Sequence, residues 1–530
     1  MTRVLIADKM SERAEEILHE AGIEADVKTG RSEAEIVADV AGYDGIIVRS
    51  ATMVTKAVIE AAGALKVVGR AGVGVDNIDL EAATSAGVLV MNTPLGNIRS
   101  AAEHSIAMLL SLARRIPQAD SDMKQGLWTK KKHSGVEVAG KILGVVGMGK
   151  VGMIVTKAFQ GMGMEVLAAD PLMTARRAEE LGVELVELPE LLERADFVTV
   201  HAPLTEGTRG LIGPEEFAKM KPAARLVNCA RGGIVDEEAL AEALRAGTIA
   251  GAAVDVFSEE PLKTNPFEGI ESIVMTPHLG ASTEEAQVKV AEDIARQFVA
   301  YLVDGDIQNA VNLSVTIDPD LREYASFAEV MGSFLGQVTG AAVKRLRLGV
   351  YGRIASRDVS VLVISALKGM LAGTVAETVN LVNAVDVAAH HGIDLTTDKN
   401  SQARNYNNVM VLTAETREGE RSIAGTLFED RTPRILAFDG VDIDVRPAPR
   451  LLTMRYPDRP GVIGKLGTTL GNARVNIADM AVGRSSKAGL AFVVLTVDDP
   501  VPDEVIEQIR GLVEGLEEIH LVNLDVPDRI

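Results

Sequence analysis

Cysteine, aromatic residues and long apolar runs are all scarce in this chain of 530 residues. A single cysteine, Cys229, excludes a disulfide framework and favours a reducing compartment. No run approaches the roughly 20 apolar residues of a membrane span, and the opening MTRVLIADKM shows no signal-peptide pattern. We therefore expect a soluble, cytoplasmic protein without a membrane partner.

Basic residues are also in deficit, with 54 lysines and arginines against 75 acidic residues and a net charge of −21. This balance disfavours nucleic acid as a partner, because binding it needs a basic footprint. An anionic substrate must instead meet a local cluster of cations. Aromatic residues make up only 3% while glycines number 49, which suits many short βα units joined by small-residue turns.

Short β-branched runs alternate with helical patterns over the first 300 residues, which predicts an α/β fold with two doubly wound, Rossmann-like parallel sheets. A long helix, Asn97–Arg115, leads from the first series into a second one that opens at Lys141. Another helix, Thr283–Val303, would carry the chain back to the first series. We predict a discontinuous first domain and an inserted second one, with bounds 1–96 plus 281–317 and 97–280.

The pattern changes after Pro319, and two further domains are predicted: a mixed α+β segment, 318–447, and a βαββαβ unit, 450–530. The mixed segment shows helical patterns at Glu329–Thr339 and Thr374–His391. Its strand-like runs are Arg345–Tyr351, Ile423–Leu427 and Arg434–Phe438. The adjacent His390 and His391 could suggest a metal, but ligand spacing is lacking and we expect none.

A glycine-rich turn with the sequence GMGKVG follows the predicted strand Lys141–Val146 and opens a helix. Gly147, Gly149 and Gly152 permit a tight turn and close approach of a pyrophosphate to the helix N-terminus. Asp170, about 20 residues on, would bind the ribose 2′-hydroxyl, so NAD is favoured over NADP. A purely structural βα turn is the alternative.

Arg231, Glu260 and His278 lie in three segments, NCARGGIVDEEAL, DVFSEEP and TPHLGAST, each after a predicted strand. An arginine can clamp a substrate carboxylate, a histidine can exchange a proton with a hydroxyl, and an acid can keep that histidine charged and oriented. Hydride transfer at a hydroxy acid needs these groups. The alternative is a surface ion pair beside an ordinary loop histidine. For Cys229 we favour a small buried residue over a nucleophile.

Two further arginines, Arg49 and Arg70, end strands of the first domain and would suit a second anionic group such as a phosphate. The run Lys130–Lys132 could add charge to the same cleft, although a solvated lysine run is the favoured interpretation. In the last domain, Tyr456–Gly461 and Asn476 could bind a free amino acid, but from spacing alone an ordinary capped turn is the favoured interpretation.

Five motifs together carry a resemblance: RAGVGVDNID, GVVGMGKVG, NCARGGIVDEEAL, DVFSEEP and TPHLGASTEEAQ. They resemble the D-isomer-specific 2-hydroxyacid dehydrogenases, and the full 530-residue layout is similar to the long-form D-3-phosphoglycerate dehydrogenases. The resemblance implies NAD-dependent oxidation of 3-phosphoglycerate in serine synthesis. It also implies an intervening regulatory domain over 318–447, a C-terminal ACT domain and a homo-oligomer, expected to be a tetramer.

The resemblance also assigns roles to single residues. It implies that His278 is the acid/base, Glu260 its partner and Arg231 the carboxylate clamp. The implied cofactor contacts are Val73, Gly147, Gly149, Lys150, Val151, Gly152, Asp170, Ala202, Cys229, Ala230, Arg231 and Asp255. An L-serine effector would meet Tyr456, Asp458, Gly461 and Asn476.

Two alternatives remain open at this point. Another dehydrogenase of the same fold could act on glycerate, lactate or 2-hydroxyglutarate, and the pair Arg49 and Arg70 leaves the doubly anionic 2-hydroxyglutarate in play. A sensor that binds NAD and an amino acid without turnover is the second alternative, which the intact triad disfavours.

Overall fold

The computed structural model describes residues 2–315, 317–375, 378–403, 405–485 and 489–526. Four sheets organise this part of the chain, two of them wholly parallel, and both parallel sheets were predicted from the sequence. The first has five parallel strands in the order β2-β1-β3-β4-β5. Its elements are β1 Arg3–Ile6, α1 Arg13–Glu20, β2 Glu24–Val27, α2 Glu33–Asp39, β3 Gly45–Val48, α3 Lys56–Ala61, β4 Val67–Arg70, α4 Leu80–Ser85 and β5 Leu89–Asn92.

The second sheet has seven parallel strands in the order β12-β11-β10-β9-β6-β7-β8, so the strand order reverses between β6 and β9. A reversal of this kind opens a crevice at the carboxyl ends of the strands, where ligands of open α/β sheets bind. Its elements are α5 Ile98–Arg114, α6 Ile116–Lys124, β6 Ile142–Val146, α7 Lys150–Gly161, β7 Glu165–Ala169, α8 Ala175–Leu181, β8 Glu184–Leu185, α9 Leu188–Arg194, β9 Phe197–Val200, α10 Pro214–Lys219, β10 Arg225–Asn228, α11 Glu237–Ala246, β11 Gly251–Val254 and β12 Ile273–Met275.

Helix α12, Glu284–Asp304, returns from the second sheet and packs against the first, on α1, β4 and β5. Two glycines of the first sheet make room for it. A Cβ on Gly45 would lie 2.7 Å from the ring of Phe298, and one on Gly69 would lie 2.2 Å from it. The fully buried Phe298 thus presses directly on the strand backbone. The division of the chain into domains nonetheless stays a prediction.

A mixed six-stranded sheet, which we call the intervening sheet, follows in the order β14-β13-β15-β16-β17-β18. Only the β13–β14 pair is parallel. The elements are α13 Arg322–Thr339, β13 Val343–Gly352, α14 Ser360–Leu371, α15 Ala384–His390, β14 Asp394–Asn400, β15 Asn408–Thr416, β16 Glu420–Leu427, β17 Pro433–Phe438 and β18 Val441–Val445. Helices α13 and α14 approach closely, since a Cβ on Gly332 would lie 1.9 Å from the carbonyl of Ala366.

The predicted helix Thr374–His391 is wrong over most of its length, because only Ala384–His390 is helical and residues 376–377 lie outside the described residues. The side chain of Asn383 accepts a hydrogen bond from the Asn380 amide at 2.8 Å and donates one to the Thr378 carbonyl at 2.9 Å. These local bonds satisfy the backbone without a helix. Strands β14, β15 and β18 and helix α14 were not predicted.

The C-terminal sheet is antiparallel, in the order β20-β21-β19-β22, and is the predicted split βαβ arrangement. Its elements are β19 Arg450–Pro457, α16 Val462–Asn472, β20 Ile477–Ser485, β21 Leu490–Val497, α17 Asp503–Leu512 and β22 Glu518–Asn523, and residues 527–530 lie outside the described residues. This sheet shares a core with the intervening sheet, where the rings of Phe438 and Phe492 stack at 4.8 Å.

Among the described residues, no helix combines the length and the apolar character that crossing a bilayer requires. Nor do the described ranges contain a cluster of three or more histidine, cysteine, aspartate or glutamate side chains placed to hold a metal ion.

Candidate active site

The carboxyl edges of the two parallel sheets face one another. Arg231 follows β10 of the second sheet, and its Nε lies 4.0 Å from Oδ2 of Asp76, which follows β4 of the first. A Cβ on Gly74 would lie 2.8 Å from Nη2 of Arg231. The glycine therefore lets a side chain of one sheet reach the backbone of the other, and the loops of both sheets line one cleft.

His278 and Glu260 form a hydrogen-bonded pair in this cleft, as the sequence led us to expect. Nδ1 of His278 lies 2.6 Å from Oε2 of Glu260, while Oε1 accepts the Phe257 amide at 3.0 Å. Burial raises the pKa of Glu260, but the hydrogen bonds from His278 and Phe257 outweigh it and leave the pKa below its usual value. The carboxylate is ionised and can only accept, so Nδ1 carries the hydrogen and Nε2 is free to exchange a proton.

The loop that carries His278 is fastened to Asp255, a fully buried carboxylate after β11. Oδ1 accepts the Leu279 amide at 2.8 Å and the Thr276 hydroxyl at 2.6 Å, and Oδ2 accepts the Gly280 amide at 2.9 Å. The Asp255 carbonyl also accepts the His278 amide at 2.8 Å. The resemblance implied a cofactor contact for Asp255, whereas its side-chain oxygens serve this loop.

Arg70 is held against the cleft with its charge poorly compensated. Burial, together with the nearby guanidinium of Arg231, lowers the pKa of Arg70 to about 10, so it remains charged at neutral pH. Its Nε is buried and has no hydrogen-bond partner within the described ranges. A Cβ on Gly72 would lie 1.7 Å from Nη1 of Arg70, so only glycine admits this side-chain position. Such a cation favours an anionic ligand.

Arg49 sits at the end of β3, in a loop fixed by Asp8. The carboxylate of Asp8 accepts the Arg49 amide at 2.6 Å and the Thr52 hydroxyl at 2.7 Å. Nη1 of Arg49 donates to the Lys9 carbonyl at 3.2 Å. The electrostatic influence of Arg49 and Arg231 on Arg70 shows that all three cations share one region.

Lys132 of the lysine run lies away from these cations within one chain. Lys130–His133 forms a 3-10 turn, and Nζ of Lys132 lies 3.2 Å from Oε1 of Glu271. Glu271 precedes β12, at the amino edge of the sheet, whereas the cleft lies at the carboxyl edge. Lys132 therefore adds no charge to the cleft of its own chain.

The glycine-rich turn between β6 and α7 has the geometry of a dinucleotide site. Gly147 has φ +91°, and a Cβ on it would lie 2.9 Å from the amide nitrogen of Ala202. Gly149 is the N-cap of α7 and faces open space. Asp170 ties the turn together, since Oδ2 accepts the Met148 amide and Oδ1 the Leu172 amide, each at 2.8 Å. The turn therefore fits a pyrophosphate at the helix N-terminus and a ribose near Asp170.

The remaining implied cofactor contacts also border the crevice between β6 and β9 or the cleft. Lys150 and Val151 form the first turn of α7, and Val73 accepts a hydrogen bond from Asn92 through its carbonyl at 2.6 Å. Burial raises the pKa of Cys229 to about 12, which agrees with a packing residue rather than a nucleophile. The turn at Ala230 is closed by the side chain of Asn228.

The four implied effector residues are not brought together within one chain. Tyr456 is buried at the end of β19, Gly461 caps α16, and Asp458 pairs with Nε of Arg484 at 3.1 Å. Asn476 precedes β20, whose first residue pairs with Val497, whereas the end of β19 pairs with Leu490. Asn476 therefore lies at the opposite end of the strands from Asp458, where its side-chain amide donates to Asp498 at 2.6 Å.

Sequence reasoning missed three residues that shape the site, namely Asp8, Asp76 and His104. Asp76 and its neighbour Asn77 lie within RAGVGVDNID, so their place in a quoted motif was a usable signal. Asp8 follows the first strand, at the same sheet edge as the arginines. His104 lies inside a long helix, where nothing in the local pattern marks it.

Comparison with known proteins decides the family. Residues 106–280 match the D-isomer specific 2-hydroxyacid dehydrogenase NAD-binding domain, 320–439 the D-3-phosphoglycerate dehydrogenase intervening domain, and 450–514 the ACT domain. A D-3-phosphoglycerate dehydrogenase from Synechocystis is 44% identical over 99% of this chain and 95% of its own length. The one from Methanocaldococcus jannaschii is 41% identical over 99% and 100%. The chain belongs to the D-3-phosphoglycerate dehydrogenase family.

Solved structures of other proteins superpose on a little more than half of this chain. A Thermus thermophilus protein, TT0316, superposes with a TM-score of 0.54 at 35% identity, covering 58% of this chain and 100% of its own. D-lactate dehydrogenase from Escherichia coli superposes with a TM-score of 0.53 at 27% identity, covering 59% and 100%. This member of the D-3-phosphoglycerate dehydrogenase family is an NAD-dependent oxidoreductase with an intervening domain and an ACT domain.

Proposed function

We propose that the chain oxidises 3-phosphoglycerate to 3-phosphooxypyruvate with NAD, the first step of L-serine biosynthesis. The observation that carries the proposal is the cleft itself, whose loops carry the hydrogen-bonded pair His278 and Glu260 as well as the cations Arg49, Arg70 and Arg231. One proton-exchanging imidazole and three cations match a hydroxy acid with two anionic ends. The names of the full-length relatives support the same substrate.

Each side chain has a defined part in the proposed reaction. Arg231 binds the substrate carboxylate, which orients C2, and Arg49 and Arg70 bind the phosphate. Nε2 of His278 takes the proton of the C2 hydroxyl, while Glu260 stabilises the imidazolium that forms. When bound, NAD supplies the acceptor for the hydride that leaves C2. In the reverse direction His278 returns the proton to the carbonyl oxygen.

NADH formation from 3-phosphoglycerate tests this proposal. The wild type should turn over, and His278→Ala should lower kcat by roughly 10²- to 10⁴-fold, the usual worth of a general base. His19→Ala is the matched control, because His19 lies on α1, where its Nε2 accepts a hydrogen bond from the Ala25 amide at 3.3 Å. No turnover by the wild type, or undiminished turnover by His278→Ala, would refute the mechanism.

Substrate choice separates the proposed enzyme from its neighbours in the family. Glycerate lacks the phosphate, so it should react with a much higher KM if Arg49 and Arg70 bind that group. 2-Hydroxyglutarate carries a second carboxylate that Arg49 and Arg70 could bind, so it is a more stringent comparison than glycerate. A kcat/KM for 2-hydroxyglutarate above that for 3-phosphoglycerate would reassign the substrate while leaving the proton-transfer pair in place.

We also propose that L-serine inhibits the enzyme through the ACT domain, with residues from two chains of a homo-oligomer, expected to be a tetramer. Asp458 and Asn476 lie at opposite ends of the strands of one ACT domain, which supports a site that needs a second copy of the chain. Serine titrations of the wild type, Asn476→Ala and the control Asn472→Ala test the site. Only Asn476→Ala should lose inhibition, and three identical curves would remove the site.

The remaining proposals concern organisation and location. We propose domain bounds of 1–96 plus 281–317, 97–280, 318–447 and 450–530, supported by the packing of α12 on the first sheet. A cytoplasmic location is supported by the single cysteine in 530 residues. Limited proteolysis tests the bounds, because cleavage should concentrate near the proposed junctions, and cleavage within the sheets would contradict them.

A further inference from the structure

Two side chains of helix α5 contact the loop that carries His278, although the helix lies far from that loop in sequence. Nε2 of His104 lies 3.1 Å from Oδ1 of Asp255 and 3.1 Å from the hydroxyl oxygen of Thr276. One turn earlier, Oγ of Ser100 donates to the carbonyl of Gly280 at 2.9 Å. Two turns of one helix thus hold both ends of the segment between Thr276 and Gly280.

In this network only one assignment of hydrogen-bond donors and acceptors is consistent. Burial raises the pKa of Asp255, but the hydrogen bonds from His104 and Thr276 outweigh it, so the carboxylate is ionised and accepts only. The Thr276 hydroxyl donates its hydrogen to Asp255 at 2.6 Å. Nε2 of His104 must therefore be the nitrogen that carries a hydrogen, and His104 acts as a donor.

The loop needs such fastening because His278 has an unfavourable backbone. Its φ is +53°, in the left-handed region that residues with a Cβ rarely adopt. A conformation of this kind persists only where surrounding contacts impose it. Asp255 supplies those contacts through the Leu279 and Gly280 amides, and His104 is the side chain from α5 that fixes Asp255.

We propose that His104 is a positioning residue for catalysis, which acts through Asp255 and Thr276 on the loop that presents His278. His104 is itself largely covered, with 19% of its side chain exposed. Because α5 joins the first parallel sheet to the second, this contact also ties the catalytic loop to the connection between the two sides of the cleft. The inference rests on the proposed role of His278 as the proton acceptor.

Replacing His104 tests the inference through separate readings of binding and turnover. His104→Leu removes the donor at similar volume and should lower kcat about 10- to 100-fold, since a small misplacement of a catalytic group can cost roughly 10²-fold. The Kd for NADH, measured by fluorescence titration, should stay within about twofold. His104→Gln keeps an Nε2 donor and should recover most of the lost kcat, which a purely volumetric role would not produce.

His133→Leu is the matched control, because His133 is another covered histidine bonded to a carboxylate, with Nε2 2.8 Å from Asp122. This pair joins α6 to the turn that follows it and lies outside the network that holds the catalytic loop, so kcat should not change. If His104→Leu does not fold, Thr276→Val removes the neighbouring hydroxyl of the same network and should show the same split between kcat and Kd.

The outcomes separate this inference from the proposed function. A kcat of His104→Leu within twofold of wild type overturns the positioning role, as does His104→Gln when it is as slow as His104→Leu. Both results leave the enzyme mechanism standing, provided that His278→Ala is inactive. Undiminished turnover by His278→Ala, in contrast, removes the proposed function and this inference with it.

Discussion

At the scale of single residues, the substrate cleft contains a guanidinium, that of Arg70, whose burial is energetically unfavourable. Arg70 is buried, its Nε lacks a partner within the described ranges, and its pKa falls to about 10 because of burial and the proximity of Arg231. A buried arginine of this kind gains more free energy from binding an anion than an exposed arginine does. The anion supplies the opposite charge and the hydrogen-bond acceptors that water no longer provides. Gly72 makes this position possible.

Gly72→Ala should therefore weaken substrate binding. The new Cβ would lie 1.7 Å from Nη1 of Arg70, at a backbone φ of +156°, so the guanidinium must leave its place. Loss of a charge-assisted hydrogen bond corresponds to about a 10- to 100-fold rise in KM for 3-phosphoglycerate. Steady-state kinetics measure this rise, with kcat reported separately.

Gly63→Ala provides the control for this substitution, because Gly63 lies in the turn after α3 and has no atom within 4 Å of its Cβ position. Its KM should equal that of the wild type. Were Gly72→Ala also to keep the wild-type KM, Arg70 would not be a substrate ligand.

At the scale of single elements, the turn between β6 and α7 shows how closely a helix must approach a strand to present its N-terminus. Gly152 lies within the first turn of α7, and a Cβ there would lie 2.3 Å from the carbonyl oxygen of Gly147. The obstacle is backbone rather than a flexible side chain. A larger residue must push α7 away from the turn, and the amides that would face a pyrophosphate would move with it.

Gly152→Ala should raise the Kd for NADH at least about tenfold, as expected when a charge-assisted contact at the helix N-terminus is lost. Fluorescence titration measures this Kd directly. Gly161→Ala, at the other end of the same helix, meets no atom within 4 Å and should bind NADH as the wild type does. An unchanged Kd in Gly152→Ala would show that close helix approach is not needed for cofactor binding.

A helix or strand could be predicted from the sequence when its buried side gives a periodic pattern of apolar residues. Helix α14, Ser360–Leu371, is buried on nearly every side, so it lacks the one-sided apolar pattern of an ordinary surface helix. Strand β14, Asp394–Asn400, is an edge strand with mostly exposed polar side chains and lacks an alternating pattern. Both elements are specified by the neighbours they pack against, which a local reading does not contain.

The candidate site divides in the same way. The triad and the glycine-rich turn could be predicted because each follows a strand, and the carboxyl ends of parallel strands meet at one edge. The fastening of the His278 loop by His104 could not, because it joins residues about 170 positions apart through a contact that only packing creates. The opposite placement of Asp458 and Asn476 follows from strand register, which the pattern of strands alone leaves open.

At the scale of the whole molecule, the intervening and C-terminal sheets are joined by a network of charges as well as by a shared apolar core. Glu518 on β22 accepts hydrogen bonds from Arg421 on β16, with the shorter at 3.0 Å, and its Oε1 lies 2.9 Å from Nε of Arg455 on β19. Asp439 pairs with both arginines. A movement of the ACT domain would therefore be transmitted to the intervening sheet through charged groups that lose their partners if the two sheets separate.

Glu518 gives this coupling a definite pH dependence. Burial raises its pKa, but the hydrogen bond from His520 and the charges of Arg421 and Arg455 outweigh it and lower the pKa from 4.5 to about 2. Because the folded pKa lies below the unfolded one, the stabilisation is fully present above pH 4.5 and is lost as the pH falls towards 2. A shift of this size corresponds to about 3 kcal/mol at neutral pH.

Glu518→Gln should accordingly lower the free energy of unfolding of this two-sheet unit by about 3 kcal/mol at pH 7. The difference from wild type, measured by calorimetry, should be constant between pH 7 and 5 and should narrow as the pH falls from 4.5 towards 3. Glu517→Gln changes the exposed neighbour and should cost little at any pH. If the loss caused by Glu518→Gln were equal at pH 7 and pH 3, the charge of Glu518 would contribute nothing to holding the ACT domain in place.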